Sequence, residues 1–236
     1  MNNLGRGSEF IQLYNQLVDH LRDLTGADRG VNFPQLVSMA ARKDQSVRRH
    51  AARIREYADL RNAMVHYRSF PEEFIAEPTE EAVATFREIV EGVVSPKPLL
   101  PAYRKEVRVF STSDRLVTIL VYMRDRDYAQ VAVRDGGSLM LLTLKGIARW
   151  LLKQANADTV NVAQATVRDA LAFDDPKNCV IMSGTQTIYD AQQAFIDALV
   201  KERRRLFAII VTETGKPDED PAGIITPGDL METWQK

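Results

Sequence analysis

The sequence predicts an α-helical bundle followed by an α+β module that occurs twice. Three observations predict it. Over positions 8–94 apolar residues recur at three- and four-residue spacing. A stretch with three prolines, "SPKPLLPAYRKE" at 95–106, then interrupts the pattern and reads as a linker. Beyond it, short β-like runs alternate with helical runs, and the alternation repeats.

The helical region contains four segments. "SEFIQLYNQLVDHL" is the first, with Ser8 as its expected N-cap. "FPQLVSMAARK" is the second. Ser46 to about Tyr67 is a third and long one. "PTEEAVATFREIVEGVV" is the fourth, opened by Pro78 and Thr79 with Glu80 and Glu81 in the first turn, where the helix dipole favours acids. Four helices with short connections make a small bundle over 8–94.

The second region aligns with itself. "VFSTSDRL" (109–116) parallels "IMSGTQTI" (181–188), "YAQVAVRDGG" parallels "LFAIIVTETG", and "LMLLTLKGIARWL" parallels "AGIITPGDLMETW". The units are expected over 107–160 and 161–236, packed face to face with two related pockets between them.

Composition narrows the function classes. The chain has 236 residues, 45% of them apolar, and a formal net charge of −1, which fits a soluble protein of one large or two small domains. A single cysteine, Cys179, excludes an intrachain disulfide and a cysteine-rich zinc site. No apolar run approaches the roughly 20 residues that span a bilayer, and "MNNLGRGSEF" lacks the apolar core of a signal peptide, so no membrane partner and a reduced, cytoplasmic location are expected. Charge is uneven locally. Eight basic residues oppose three acidic ones from Arg42 to Arg68, and seven glutamates oppose one arginine from Ser69 to Val94. Such a pair of segments makes either two solvated faces or an anion-binding surface.

"GIITPGDL" carries the most chemistry in the second region. Ile224 and Ile225 end a buried strand, Thr226 is an N-cap, Pro227 fits the first helical position and Asp229 falls where a capping-box acid sits. Those roles need no ligand. The same geometry also serves one, because free N–H groups at a helix start attract phosphate and a first-turn carboxylate accepts ribose hydroxyls. The duplicated unit ending in this Gly-hydrophobic-hydrophobic-Thr-x-x-Asp-Leu signature resembles a pair of CBS domains, a Bateman module, over roughly 107–236. The resemblance implies binding of a regulatory adenine nucleotide (ATP, ADP, AMP or a cyclic dinucleotide) through Thr226 and Asp229, with Gly223 letting backbone approach. In the first copy Thr143 matches, but Gly146 stands at the Asp position and Met140 at the Gly position, so that pocket is expected to lack its ribose clamp.

The third predicted helix holds "LRNAMVHYR", Leu60 to Arg68. At ~100° per residue, Arg48, Arg55, Asp59, Asn62 and His66 share one polar stripe. Ile54, Tyr57, Ala58, Leu60, Met64 and Val65 form the apolar arc opposite, and Arg61 falls inside it. The stripe fits a solvated face. An arginine in an apolar arc needs a partner, a route to solvent or a second subunit. The Arg61, Asn62 and His66 pattern resembles that of HEPN domains, four-helix units with Arg-Asn-x-x-x-His on a late helix. The resemblance covers roughly 8–94 and implies a homodimeric, metal-independent endoribonuclease that needs no cofactor for catalysis. The residue types suit that chemistry. RNA carries its own 2′-hydroxyl nucleophile, a histidine moves the proton, and an arginine stabilises charge on the phosphate. Tyr67 directly follows His66 and Arg68 comes next, which departs from the toxin subclass with a tyrosine two positions after the histidine.

Lesser signals are read plainly. His20, near Asp19 and Asp23, is expected to be solvated, and His50 to belong to the basic surface. Trp150 and Trp234 are expected in a core or subunit contact, and Cys179 as a buried small apolar residue. "KERRR" (201–205) is either a helix end or a phosphate contact. Together these readings predict a homodimer in which a CBS-like pair senses a nucleotide and regulates a HEPN-like site acting on RNA, with Arg48 and Arg55 as RNA contacts. The competing expectation is a non-catalytic nucleotide-sensing adaptor.

Overall fold

The computed structural model describes residues 5–66, 76–154 and 162–234, without the side chains of 66 and 232–234. The chain forms two compact units, Met1–Lys97 and Pro98–Lys236.

The first unit is a helical bundle of α1 (Arg6–Thr25), α2 (Phe33–Lys43), α3 (Gln45–His66) and α4 (Glu80–Val94). Its core forms because each helix carries one apolar stripe. Phe10, Tyr14, Leu17 and Leu21 of α1 meet Leu36, Val37 and Ala40 of α2, Ile54 and Met64 of α3, and Phe86, Ile89 and Val90 of α4. Phe86 is the centre of an aromatic cluster, 4.9 Å from the ring of Phe10 and 4.7 Å from that of Tyr57. Side chains start three of the helices. Asn32 accepts from the Gln35 amide at 3.0 Å, Asp44 from the Val47 amide at 3.1 Å, and Thr79 from the Ala82 amide at 3.2 Å. The expected Ser8 cap is corrected. The Ser8 amide donates to the Gly5 carbonyl at 2.8 Å, so Ser8 lies within the first turn and Gly5 precedes the helix. Gly26 closes α1 in the left-handed region (φ 68°), its amide bonded to the Arg22 carbonyl.

The second unit contains two three-stranded sheets of identical topology. In the first copy, β1 (Val109–Ser111), α6 (Leu116–Arg126), β2 (Gln130–Asp135), β3 (Ser138–Thr143) and α7 (Leu144–Gln154) follow in order. In the second, the order is β4 (Cys179–Ser183), α9 (Ile188–Val200), β5 (Ala208–Thr212), β6 (Gly223–Ile225) and α10 (Pro227–Trp234). The first strand runs parallel to the second, and the second antiparallel to the third, in both. The duplication extends to single hydrogen bonds. The Ser111 amide donates to the Asp114 carboxylate at 2.8 Å, as the Ser183 amide does to the Gln186 side-chain oxygen at 2.9 Å.

The copies exchange their leading segments. The short helix α5 (Leu99–Ala102), which precedes the first copy, buries Leu99 and Leu100 in the core of the second. Helix α8 (Val167–Leu171), which precedes the second copy, buries Val167, Ala170 and Leu171 in the core of the first. The backbone bonds match one for one. Leu99 and Leu100 donate to the Gln186 and Gly184 carbonyls, while Val167 and Arg168 donate to those of Asp114 and Thr112. The side chains are matched too. A Cβ on Gly184 would lie 2.4 Å from Leu100, whereas Thr112 accepts from Arg168 at 3.1 Å. The stretch expected as a linker therefore differs from the expectation at Leu99 and Leu100. Its prolines mark a change of direction, but these two leucines are core.

Candidate functional site

The start of α10 has the geometry that its sequence calls for. The Thr226 amide and hydroxyl both donate to Oδ2 of Asp229, at 2.6 and 2.7 Å. The Asp229 amide donates back to the Thr226 carbonyl at 3.1 Å. Both side-chain bonds land on one oxygen, so Oδ1 of Asp229, an exposed residue, has no hydrogen-bond partner among the described residues. A carboxylate fixed through one oxygen with the other free is oriented to accept hydroxyls.

Thr226 and Ile224 line a cleft of about 830 Å³ together with Lys105–Arg108, Tyr122 and the segment from Arg126 to Ala132. That volume falls within the roughly 300–1,000 Å³ of small-molecule sites. Arg108 rests in a notch between two rings, 4.8 Å from the centre of Phe110 and 5.0 Å from that of Tyr122. Gly223 departs from its expected role. A Cβ there would lie 2.3 Å from the Tyr103 carbonyl oxygen, so the close backbone approach is made by the chain's own leading segment.

The first copy solves the same local problem differently. Thr143 is fully buried, and its amide and hydroxyl donate to Oδ2 of Asp174 at 2.7 and 2.9 Å. Asp174 reaches this position from the segment after α8. Its Oδ1 accepts from Asn178 at 2.9 Å, and Asn178 also donates to the Leu141 carbonyl. A Cβ on Gly146 would sit 2.3 Å from Oδ2 of Asp174. Glycine at 146 thus makes room for a carboxylate that arrives from elsewhere in the chain. Position 146 offers no carboxylate of its own, yet the helix start is capped. Sequence spacing does not find Asp174, because the partner lies 31 residues from Thr143. Counting on from the matched residues Leu99 and Val167, Asp174 corresponds to Glu106, a residue of the open cleft.

In the helical unit, Arg61 has found a partner in its own chain. Its guanidinium lies 5.4 Å from the centre of the Tyr14 ring, and its Nε is buried without a hydrogen bond among the described residues. Burial pushes the Tyr14 hydroxyl above its usual range, and the Arg61 charge opposes that. Asn62 is exposed. His66 is the last residue of α3, but its side chain, and Tyr67 and Arg68 entirely, lie outside the described residues. Arg48 donates to the Ala41 carbonyl at 2.9 Å and Arg55 to the Ser38 hydroxyl at 3.0 Å, so both tie α3 to α2. His50 is half-buried, and burial, with Arg49 and Arg53 beside it, holds its pKa below 6.5. The reading of His20 as solvated is corrected. Its Nε2 is buried without a hydrogen bond among the described residues.

The other signals fall into place in the packing. Trp150 belongs to the core of the first copy, while the Trp234 side chain lies outside the described residues. Arg204 of "KERRR" donates to the Lys177 carbonyl and pairs with Glu202, a structural role. Cys179 is half-buried, and burial first, then the nearby Asp174, pushes its thiol up to about 11. Among the described residues no group of three or more His, Cys, Asp or Glu is placed to hold a metal ion, and no helix is long and apolar enough to cross a membrane.

No protein-family model matches the sequence, and no curated protein matches it. Among solved structures, the chain is similar to a CBS domain-containing protein from Kribbella flavida (17% identity, 56% of this chain and 95% of that one, TM-score 0.42). It is similar to CBSX2 in complex with AMP (17% identity, 56% and 90%, TM-score 0.39). It is also similar to CbpB in complex with c-di-AMP (14% identity, 59% and 85%, TM-score 0.41).

Proposed function

We propose that the second unit is a tandem CBS pair that binds one adenine nucleotide, in the cleft beside Thr226 and Asp229, and regulates the helical unit. The observation that carries this reading is the fixed Asp229 carboxylate with a free Oδ1, at a helix start whose Thr226 lines an open cleft. The carboxylate takes the ribose hydroxyls; with the Thr226 and Asp229 amides engaged and no N–H on Pro227, the Gly228 amide is left for the α-phosphate. Binding regulates the partner unit only to the extent that the ligand prefers one arrangement of the protein. Large apolar side chains left exposed on α7, α9 and α10 (Leu152, Leu199, Val200 and Met231) support assembly as a homodimer. Calorimetry on the full chain with ATP, ADP, AMP and cyclic dinucleotides tests the reading. A binding heat that Asp229→Ala removes is the expected result, and no heat from any of these ligands refutes it.

A second reading gives the helical unit an output, a metal-independent endoribonuclease at Arg61, Asn62 and His66. What favours it is that the Arg61 guanidinium has no carboxylate partner among the described residues while Asn62, next to it, is exposed. An unneutralised guanidinium suits a phosphate in transit through its transition state. Incubation with labelled RNA in EDTA is the test. Cleavage leaving cyclic-phosphate ends, lost in His66→Ala and in Arg61→Ala, is expected. An intact substrate with and without nucleotide leaves a non-catalytic adaptor.

A further inference from the structure

The cleft beside Thr226 carries an excess of unpaired positive charge, and its arrangement bears on which nucleotide it takes. Lys105, Arg108 and Arg126 line it, and none of the three makes an ion pair or a side-chain hydrogen bond among the described residues. Two carboxylates, Glu106 and Asp127, share the lining, and neither bridges a cation. Several arginines elsewhere in this unit are neutralised, although Arg205 also rests on a ring, that of Phe207, with no ion pair among the described residues. Arg104 pairs with Glu213, Arg124 with Asp125 and Arg134 with Asp220. The cleft cations are held by rings instead. Arg108 lies 5.0 Å and Arg126 5.3 Å from the same Tyr122 ring centre, so the two guanidiniums cannot be further apart than those distances combined. A ring face orients a guanidinium without consuming its N–H donors, leaving them for an anion.

We propose that the cleft selects a nucleotide with a linear chain of two or three linked phosphates, the chain lying between Arg108 and Arg126 with Lys105 beside it. The proposal rests on the nucleotide reading above and adds the ligand's charge class. Thr226 and the guanidiniums line the same cleft, and a chain of linked phosphates offers oxygens to both. Each added phosphate brings charge that the unpaired cations neutralise. A monophosphate leaves them unsatisfied, and a cyclic dinucleotide separates its two phosphates across a ring.

Calorimetry of the full chain with AMP, ADP, ATP and c-di-AMP decides it, alongside Arg108→Ala, Arg126→Ala and the control Arg124→Ala. These arginines are exposed, and circular dichroism confirms that each variant folds. ADP and ATP should bind at least about tenfold more tightly than AMP or c-di-AMP, the size expected of one charge-assisted contact. Either cleft substitution should remove most of that preference, while Arg124→Ala keeps it. Raising salt should weaken ATP more steeply than AMP. Equal affinity for AMP and ATP, tighter c-di-AMP, or a preference that survives both cleft substitutions overturns the proposal while leaving the nucleotide site standing. Absence of binding by all four ligands overturns the nucleotide reading and this proposal with it.

Discussion

The two copies of the α+β module share topology, exchanged leading segments and even matching serine hydrogen bonds, but they diverge at one carboxylate. In the second copy the acid that caps the last helix, Asp229, is three residues from its threonine and exposed. In the first, that position is Gly146, and Asp174 arrives from the exchanged segment to cap the helix from outside. The physical requirement is common to both, since the first N–H groups of a helix need acceptors. The consequence is not. Asp229 keeps one oxygen free three residues from Thr226, which lines an open cleft, whereas both oxygens of Asp174 are engaged, with Asn178 holding the second. Duplication produced two capped helix starts, and in one of them the capping acid comes from the exchanged segment.

This contrast leads to graded expectations. The largest effect belongs to Asp229→Ala, which should weaken nucleotide binding by about a hundredfold through loss of charge-assisted bonds, at a stability cost of about 1 kcal/mol for the lost helix cap. Asp174→Ala should do the reverse. It strands the Thr143 and Asn178 donors, costing about 2 kcal/mol in urea unfolding, and leaves nucleotide affinity unchanged. If Asp174→Ala instead weakened nucleotide binding, the assignment of the ligand to the second copy would be wrong. Gly146→Ala forces a Cβ against the Asp174 carboxylate and should cost about 1–2 kcal/mol, as overpacking does.

The smallest effect is read at Cys179, which reports on the first copy. Its thiol, pushed up to about 11, should react with a disulfide reagent at pH 8 only through a thiolate fraction near 0.1%. The rate should climb with pH until about 11. Asp174→Asn removes the smaller of the two raising influences, so the rate at pH 8 should increase, by less than about tenfold, with burial retaining most of the shift. An unchanged rate would mean that Asp174 does not approach the strand start at Cys179.

Much of this organisation was legible in the sequence because it is local. The four-helix pattern, the Thr79 cap and the Thr226–Asp229 box all depend on residues within a turn of each other. The duplication was legible because equivalent segments kept their order. Nonlocal features escaped. Leu99 and Leu100 sit between prolines and look like a linker until the second core is seen to receive them. Asp174 has no sequence spacing to Thr143 that a motif would register, and Gly146 by itself reads only as a missing acid. Arg61 stood out correctly as a cation in an apolar arc, but the Tyr14 ring that receives it lies on another helix.

The most direct test is the stoichiometry of ATP binding to the full chain by calorimetry. One ATP per chain, abolished by Asp229→Ala and untouched by Asp174→Ala, is the predicted result. Two per chain, or binding that survives Asp229→Ala, would contradict the proposal that only the second copy binds a nucleotide.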